Sequence, residues 1–501
     1  MKATNDLHRL LHSLSQAEKR YIKVAASKQL IENENIALFD AILNQEEYDE
    51  KKLKEQLKGK SLVRHLSSSK NYLYRFVLKS MRMFHAERSV DKQLKELLMD
   101  ARFLYDRGLY ELSWKELEKA KKLAYEYEMF LVILEILFIE RLLVVVGPNK
   151  DMKARIDAVH EERKEVMRKL HSFAELMNLS DTVFVKSRSN YHLRDEKILA
   201  ELYHVAKSDL FINPPQEDSF EVYYQYLFAR GIFHMNMGDF EQAYTYYHKQ
   251  IEHWESHPRF IRDGGQRFKK SLFNYLNCCL GLGRFEEFPV ILEKIRSIPC
   301  VSPDEEAEEF QGAYYMELIY LVNCARLDKA EELLPDIERG LKKYRGKVSK
   351  ARELGFCHNI AVMLFVKEDF KQALTWVNKI INDVKSDSRL DIQHFARIFQ
   401  MILHYEMDKR ELLHYELRTV PRYLRQHKSY FPFEKTVIRH IEKLLDDGVS
   451  ERKENFCLLA KELEKIKEDP AQKKSLGIEE INIWVQSNIR RIPMIEFLKG
   501  A

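Results

Sequence analysis

A cluster of basic side chains near the amino terminus is the sharpest chemical feature of this sequence. Helical spacing puts several of them on one face of the segment 70–83. Guanidinium and ammonium groups arranged in this way bind phosphate oxygens, and a basic helix in a small helical domain is typical of helix-turn-helix readers of DNA. The alternative is a solvated helix surface balanced by acidic repeats nearby. The candidate nucleic-acid or anion contacts are Lys70, Asn71, Arg75, Lys79 and Arg82.

Two further groups of side chains suit partner binding. Near the carboxyl terminus, arginines follow one another at helical spacing and could grip a phosphate or an acidic peptide, although a solvated surface would look the same. Tyrosines crowd the region 222–249, where packing between helices explains most of them. Tyrosines left on a concave surface would suit peptide recognition. The candidates for a partner-binding groove are Tyr223, Tyr226, Tyr247, Arg418, Arg422 and Arg425.

Patterns typical of catalysis or metal binding are missing from the sequence. His8 and His12 share one helical spacing, but the glutamate that follows the first histidine in the HExxH motif of zinc hydrolases is not there. The sequence has no GxSxG, GxxxxGK[ST] or GxGxxG pattern, and its six cysteines form no CxxC pair. We therefore expect no enzymatic activity, no cofactor and no bound metal.

Composition limits the class of protein that holds these residues. The 501 residues are 45% hydrophobic and 32% charged, which is too apolar for a disordered chain, and 16 glycines and 12 prolines are too few for a hairpin-rich β protein. The net charge is only +4, yet residues 51–95 carry thirteen basic side chains and three acidic ones. We see no signal peptide or membrane span, and adjacent Cys278 and Cys279 would make a strained disulfide. We expect a reduced, cytoplasmic protein.

A unit of helix, tight turn and second helix recurs in the middle of the chain. In one unit, Gly238 would take the left-handed conformation that ends a helix, and Asp239 would cap the next. We expect Phe240 to pack back between the two helices and the small Ala243 to let them approach closely. Anchor residues repeat at spacings of 45, 42 and 43 residues, at Phe240, Phe285, Leu327 and Phe370.

This pattern resembles the tetratricopeptide repeat, in which a glycine-acidic-aromatic turn and a following alanine lie between paired helices. The period differs, because that family repeats every 34 residues or so. The wider layout is similar to uncharacterised tetratricopeptide-like proteins of Bacteroidota, through the segments 17–23, 70–82 and 423–435. The resemblance implies an all-α fold, an α-solenoid of antiparallel helix pairs, and it supplies no activity.

We predict three regions along the chain. A basic N-terminal helical domain covers 1–95, tetratricopeptide-like repeats cover 96–450 and a helical cap covers 451–501. In the first region, Ser15 and Glu18 form a capping box, and one long helix runs from Lys70 toward Asp100. Further helices are predicted near 34–45, 50–58, 150–175 and 194–209.

The predicted array has a functional consequence. Each repeat contacts mainly its neighbours, so the array curves and offers a long groove. Grooves of this kind bind an extended peptide or a partner helix. We therefore expect a scaffold or adaptor for protein–protein interaction, of unknown oligomeric state. The alternative is a DNA-binding regulator in which the N-terminal domain reads DNA and the repeats act as a sensor.

Overall fold

Helices make up all the regular secondary structure in the described part of this computed structural model. That part comprises residues 5–28, 33–84, 89–147, 151–189, 203, 206–213, 219–382, 389–446, 448–469, 472 and 475–500. Neighbouring helices pack against each other in sequence order through most of the chain. The predicted all-α, solenoid-like fold is confirmed. Most of the helix predicted near 194–209 lies outside the described residues.

Most of the described helices follow one another with short connections. The first are α1 (Asp6–Ser13), α2 (Gln16–Lys28), α3 (Asn33–Leu43), α4 (Glu50–Gln56), a 3-10 helix (Ser61–His65) and α5 (Leu66–Phe84). The next are α6 (Val90–Asp106), α7 (Tyr110–Glu126), α8 (Phe130–Val146), α9 (Met152–Ser189) and α10 (Asp209–Ile212).

The remaining helices form the longer part of the array. They begin with α11 (Phe220–Met237), α12 (Phe240–Glu255), α13 (Pro258–Leu282), a 3-10 helix (Phe285–Glu287), α14 (Phe288–Ser297) and α15 (Pro303–Asn323). They continue with α16 (Leu327–Glu332), α17 (Leu334–Lys343), α18 (Lys350–Val366), α19 (Phe370–Ile381) and α20 (Leu390–Glu406). The last are α21 (Arg410–Gln426), α22 (Pro432–Asp446), α23 (Val449–Glu468), α24 (Ile478–Arg490) and α25 (Met494–Gly500).

Helices α1 to α5 enclose a hydrophobic core of their own. Leu73, Phe76 and Val77 of α5 are buried in it, as their spacing predicted. The capping box at the start of α2 is also confirmed. The Ser15 amide donates to Glu18 Oε2 at 2.7 Å, and the Glu18 amide donates to Ser15 Oγ at 3.3 Å.

The prediction of one long helix from Lys70 toward Asp100 is wrong. Helix α5 ends at Phe84, and α6 begins at Val90. The apolar stripe of α5 lies in the N-terminal core, whereas Val90 and its neighbours one and two turns later lie in a second core with α7 and α8. The chain forms two separate helices here, because the apolar stripe of each helix packs in a different core.

One tight turn recurs between successive helices of the array. Its first residue has a positive φ, and the amide of the next residue donates to the carbonyl five positions back, as from Asp239 to His234 at 2.9 Å. The predicted roles of Gly238 and Asp239 are confirmed, since Asp239 Oδ1 accepts from the Gln242 amide at 3.2 Å. The left-handed residues are Gly108, Glu128, Gly238, Gly283, Ala325, Glu368, Asp408 and Lys428.

Burial, rather than glycine, marks every one of these turns. Five positions after the left-handed residue, the chain has a side chain that is at most 1% exposed. Its size varies from alanine to phenylalanine. These residues are Ser113, Ile133, Ala243, Phe288, Ala330, Ala373, Leu413 and Phe433.

Contacts between repeats hold the array together. Phe240 was expected between α11 and α12, but its ring reaches Gly281 of α13, where an added Cβ would lie 2.6 Å from the ring. At the carboxyl end, the fully buried Trp484 donates its Nε1–H to Glu406 of α20. The C-terminal helices therefore cover the core of the last repeats.

Candidate functional site

The basic face of α5 is exposed as the sequence pattern requires. We define the α5 basic face as Asn71, Arg75, Lys79 and Arg82, all of which are exposed. Within the described residues, none of its three cations forms an ion pair. Tyr72 is 51% exposed beside it. The acidic repeats that would have neutralised this face are therefore not its partners among the residues described.

Lys70 does not belong to the α5 basic face. Its side chain is buried, and its Nζ donates to Glu50 Oε2 at 2.7 Å and to Tyr48 Oη at 2.8 Å. The hydrogen bond from Lys70 is the main cause that lowers the pKa of Glu50 to about 2. The predicted nucleic-acid contact at Lys70 is therefore corrected: its ammonium joins α5 to the start of α4, because a buried charge needs a fixed partner.

Two of the three tyrosines predicted for a groove are core residues. Tyr226 is 7% exposed. Tyr247 is fully buried, with its ring so close to Gly231 that an added Cβ would lie 2.7 Å from it. Tyr223 is half-buried, and its ring centre lies 5.1 Å from that of His253. Tyr226 and Tyr247 are buried between helices, so a partner cannot reach them in the folded array.

The tail arginines form a second exposed basic surface. We define the tail basic surface as Arg418, Arg422 and Arg425 on α21. Arg425 meets Lys435 of α22 at Tyr430, with the guanidinium 4.7 Å and the ammonium 5.5 Å from the ring centre. No ion pair to a described residue neutralises the three arginines. Their role in binding stays a prediction.

A groove that the sequence did not reveal runs along α15. It has two chambers of about 400 Å³ and 460 Å³, bordered by α14 on one side and by α16 and α17 on the other. Arg296 lines both chambers. Its guanidinium pairs with Glu317 and lies 5.7 Å from the ring centre of Tyr314. We call this surface the α15 groove.

The α15 groove combines an aromatic floor with charged walls. Phe310, Tyr314 and Tyr320 project from α15 into its chambers. Lys343 of α17 donates to Glu306 Oε2 at 3.1 Å, and this hydrogen bond lowers the pKa of Glu306. Burial raises the pKa of Tyr314. The surface can therefore receive apolar side chains at its floor and polar groups at its rim.

Prolines lie in the first turns of two helices that flank the groove. Pro289 lies in the first turn of α14, and Pro335 lies in the first turn of α17, after α16 has ended at Glu332. Proline cannot donate a backbone hydrogen bond inside a helix, so it shortens or breaks the second helix of these two units. The second helices α12 and α19 contain no proline. Proline alone would not have located the groove, because Pro421 lies inside the continuous helix α21.

The last candidates from the sequence are the two histidines His8 and His12. Ring nitrogens of His8 and His12 lie 2.8 Å and 3.4 Å from the Gln45 and Ile42 carbonyl oxygens at the end of α3. Across the described ranges, no group of three or more metal-binding side chains comes together. No described helix is both long enough and apolar enough to cross a membrane.

No family model, curated protein or solved structure matches this chain. The likeness to tetratricopeptide-like proteins therefore depends on the turn and anchor residues alone.

Proposed function

We propose that this chain is a tetratricopeptide-like adaptor that binds an extended peptide segment of a partner protein in the α15 groove. The observation that carries the proposal is the pair of neighbouring chambers over one helix, which share Arg296 and are each within the usual size of a ligand site. We also propose a cytoplasmic location, supported by six cysteines that form no disulfide with one another among the described residues.

The dimensions of the groove favour an extended peptide over a helix. The lining residues on α15 run from Glu306 to Leu321, which spans about 22 Å at the helical rise per residue. An extended strand of about seven residues covers that length. A bound helix would be about 10–12 Å wide with its side chains. The ion pair between Arg296 and Glu317 lies between the two chambers and would obstruct a ligand of that width. Alternate side chains of a strand would enter the two chambers.

The test compares two neighbouring substitutions on α16. Lys329 lines the larger chamber, whereas Asp328 pairs with Lys367 of α18 at 3.1 Å and does not line the groove. Short peptides selected from a displayed random library would be measured by fluorescence polarisation on the native chain and on both variants. We expect Lys329→Trp to weaken binding at least tenfold, about 1.4 kcal/mol, and Asp328→Trp to leave it unchanged. Equal binding to all three proteins would remove the proposal.

The α5 basic face supports a second candidate function, a DNA-binding regulator. Three exposed cations along one helix, with no acidic partner among the described residues, attract a polyanion. Without Lys70, the surface has one cation fewer than the sequence predicted. The pattern still fits phosphate contacts, because Arg75, Lys79 and Arg82 follow one side of α5 at helical spacing.

Charge-reversal variants distinguish specific DNA contacts of the α5 basic face from general electrostatic attraction between the protein and DNA. We would compare the triple variant Arg75→Glu, Lys79→Glu, Arg82→Glu with the control triple variant Arg418→Glu, Arg422→Glu, Arg425→Glu, which has the same net charge. Retardation of duplex DNA would be measured over a range of salt concentrations. The regulator requires that only the first variant loses binding and that native affinity falls steeply with salt. Loss in both variants, or in the second alone, would exclude α5 as the specific contact.

A further inference from the structure

Two nucleophilic side chains and a carboxylate meet at one end of the α15 groove. Lys269 Nζ lies 3.2 Å from Cys300 Sγ. Glu309 Oε2 lies 3.4 Å from the same sulfur and also accepts a hydrogen bond from Lys269 Nζ. Lys269 comes from α13, Cys300 from the segment between α14 and α15, and Glu309 from α15.

The cluster is closed on one side and open on the other. The Lys269 side chain is 3% exposed, so bulk water has little access to its nitrogen. Cys300 is half-buried and lines the chamber of about 400 Å³, together with Glu309. A molecule as small as hydrogen peroxide can therefore reach the Cys300 sulfur through the chamber, whereas the Lys269 amine beside that sulfur is buried.

We propose that Lys269 and Cys300 form a covalent, reversible nitrogen–sulfur bridge when the protein meets hydrogen peroxide. In the first step, Glu309 accepts the thiol proton and Cys300 Sγ attacks one peroxide oxygen. The O–O bond breaks, a sulfenic acid forms, and the departing hydroxide takes up the proton as water. Sulfur is oxidised by two electrons, and peroxide is reduced by two.

The second step needs no further oxidant. Glu309 accepts a proton from the Lys269 ammonium, and the free amine attacks Cys300 Sγ. The S–O bond breaks, an S–N bond forms, and hydroxide leaves as water with the proton held by Glu309. The second proton on nitrogen is lost to solvent through the same carboxylate. The present separation of 3.2 Å between nitrogen and sulfur is already a near-attack distance.

The bridge would join two successive repeats beside the groove. It links α13 to the residues that lead into α15, so it restrains the entrance to the smaller chamber. Two equivalents of a thiol reductant would reverse it, giving back the thiol and the amine with a disulfide of the reductant. The chemistry does not depend on the proposed peptide binding.

Three of the other cysteines, Cys278, Cys279 and Cys324, have no lysine among the groups that act on their thiols. Burial raises the pKa of Cys278 and of Cys279 to about 12, so neither forms a thiolate readily. Burial also raises the pKa of Cys300, but there the hydrogen bond from Lys269 opposes the rise. Cys324 is half-buried like Cys300, but only Arg326 acts on it as a nearby charge. Cys324 is therefore the matched control, a thiol of similar exposure without an amine and a carboxylate beside it.

The experiment treats the full-length native chain with hydrogen peroxide and maps the digested protein by mass spectrometry. We expect one cross-linked peptide pair containing Lys269 and Cys300, two hydrogen atoms lighter than the sum of its peptides and absent after dithiothreitol. Cys300→Ser and Lys269→Arg should abolish it, whereas Cys324→Ser should leave it unchanged. Glu309→Gln, which keeps the shape of the side chain, should slow cross-linking at least tenfold with an unchanged circular dichroism spectrum.

Two results would overturn the proposal. The first is oxidation of Cys300 to sulfenic, sulfinic or sulfonic acid with Lys269 unmodified in the native chain. The second is a cross-link that carries an added oxygen atom, because that product has a different bond between the two residues. A Glu309→Gln variant that cross-links at the native rate would remove the carboxylate from the mechanism.

Discussion

The turn at Lys428 offers a direct test of how this array is built. Lys428 has φ +54° and follows α21 in the same turn that Gly108, with φ +74°, forms after α6. No described residue accepts a hydrogen bond or ion pair from the Lys428 side chain, and nothing lies within 4 Å of a Cβ added at Gly108. Substitutions at both positions therefore change backbone strain and little else.

The expected effect follows from two opposing terms. The left-handed conformation costs an L-residue about 1–2 kcal/mol, and glycine adopts it without that cost. Glycine also makes the unfolded chain more flexible, which removes about 0.4–1 kcal/mol of the gain. We expect Lys428→Gly to raise the local free energy of unfolding by about 0.5–1 kcal/mol, and Gly108→Ala to lower it by a similar amount.

The measurement must be local, because a repeat array does not unfold as one two-state unit. Native-state hydrogen exchange of the amides in α21 and α22 would report on Lys428→Gly, and those in α6 and α7 on Gly108→Ala. A change of 1 kcal/mol alters the exchange rate about fivefold. Lys428→Ala, which keeps an L-residue in the same conformation, is the control and should be nearly neutral. Faster exchange in Lys428→Gly than in Lys428→Ala would refute the reasoning.

Three further perturbations follow from single contacts. The pKa of Glu50 is held at about 2, so its contribution to stability is complete above the usual glutamate pKa and is lost as the pH falls toward 2. Glu50→Gln should flatten the acid unfolding of helices α1 to α5, and an unchanged acid limb by circular dichroism would contradict this. Gly340→Ala would put a Cβ 2.1 Å from the Phe310 ring, and we expect a loss of about 1–3 kcal/mol in urea unfolding that Phe310→Leu partly restores. Trp484→Ala should cost about 3–5 kcal/mol and speed hydrogen exchange in α20 to α25 without affecting α6 to α8; uniform destabilisation would argue against a local cap.

The sequence predicted the repeat where the turn used glycine or an evident anchor. One such turn has Gly238 at the helix end, Asp239 at the cap and Phe240 at the start of the next helix. Each residue type has a strong local preference at its position, so the sequence alone predicts the turn. Glu128 and Lys428 make the same turn without that preference. Each is followed five positions later by a side chain that is 1% exposed, Ile133 and Phe433, and such burial is set by distant segments rather than by a local pattern.

The candidate sites were predicted less well than the fold. Helical spacing correctly brought Arg75, Lys79 and Arg82 to one exposed face, since spacing alone decides which residues share a side of a helix. Spacing does not say what lies opposite, so Lys70, one position from Asn71, was assigned to solvent when it pairs with Glu50 from a different helix. The α15 groove was missed for the same reason, as its lining comes from four helices.

The sequence by itself determined that this chain is helical, where several of its helices end and where its N-terminal positive charge lies. These properties depend on residue type and on separations of a few positions along the chain, and their physical causes act within one or two helical turns. Tertiary structure alone decided which tyrosines are buried, which lysine is paired and where a groove opens, because those properties arise when side chains from distant segments compete for the same space.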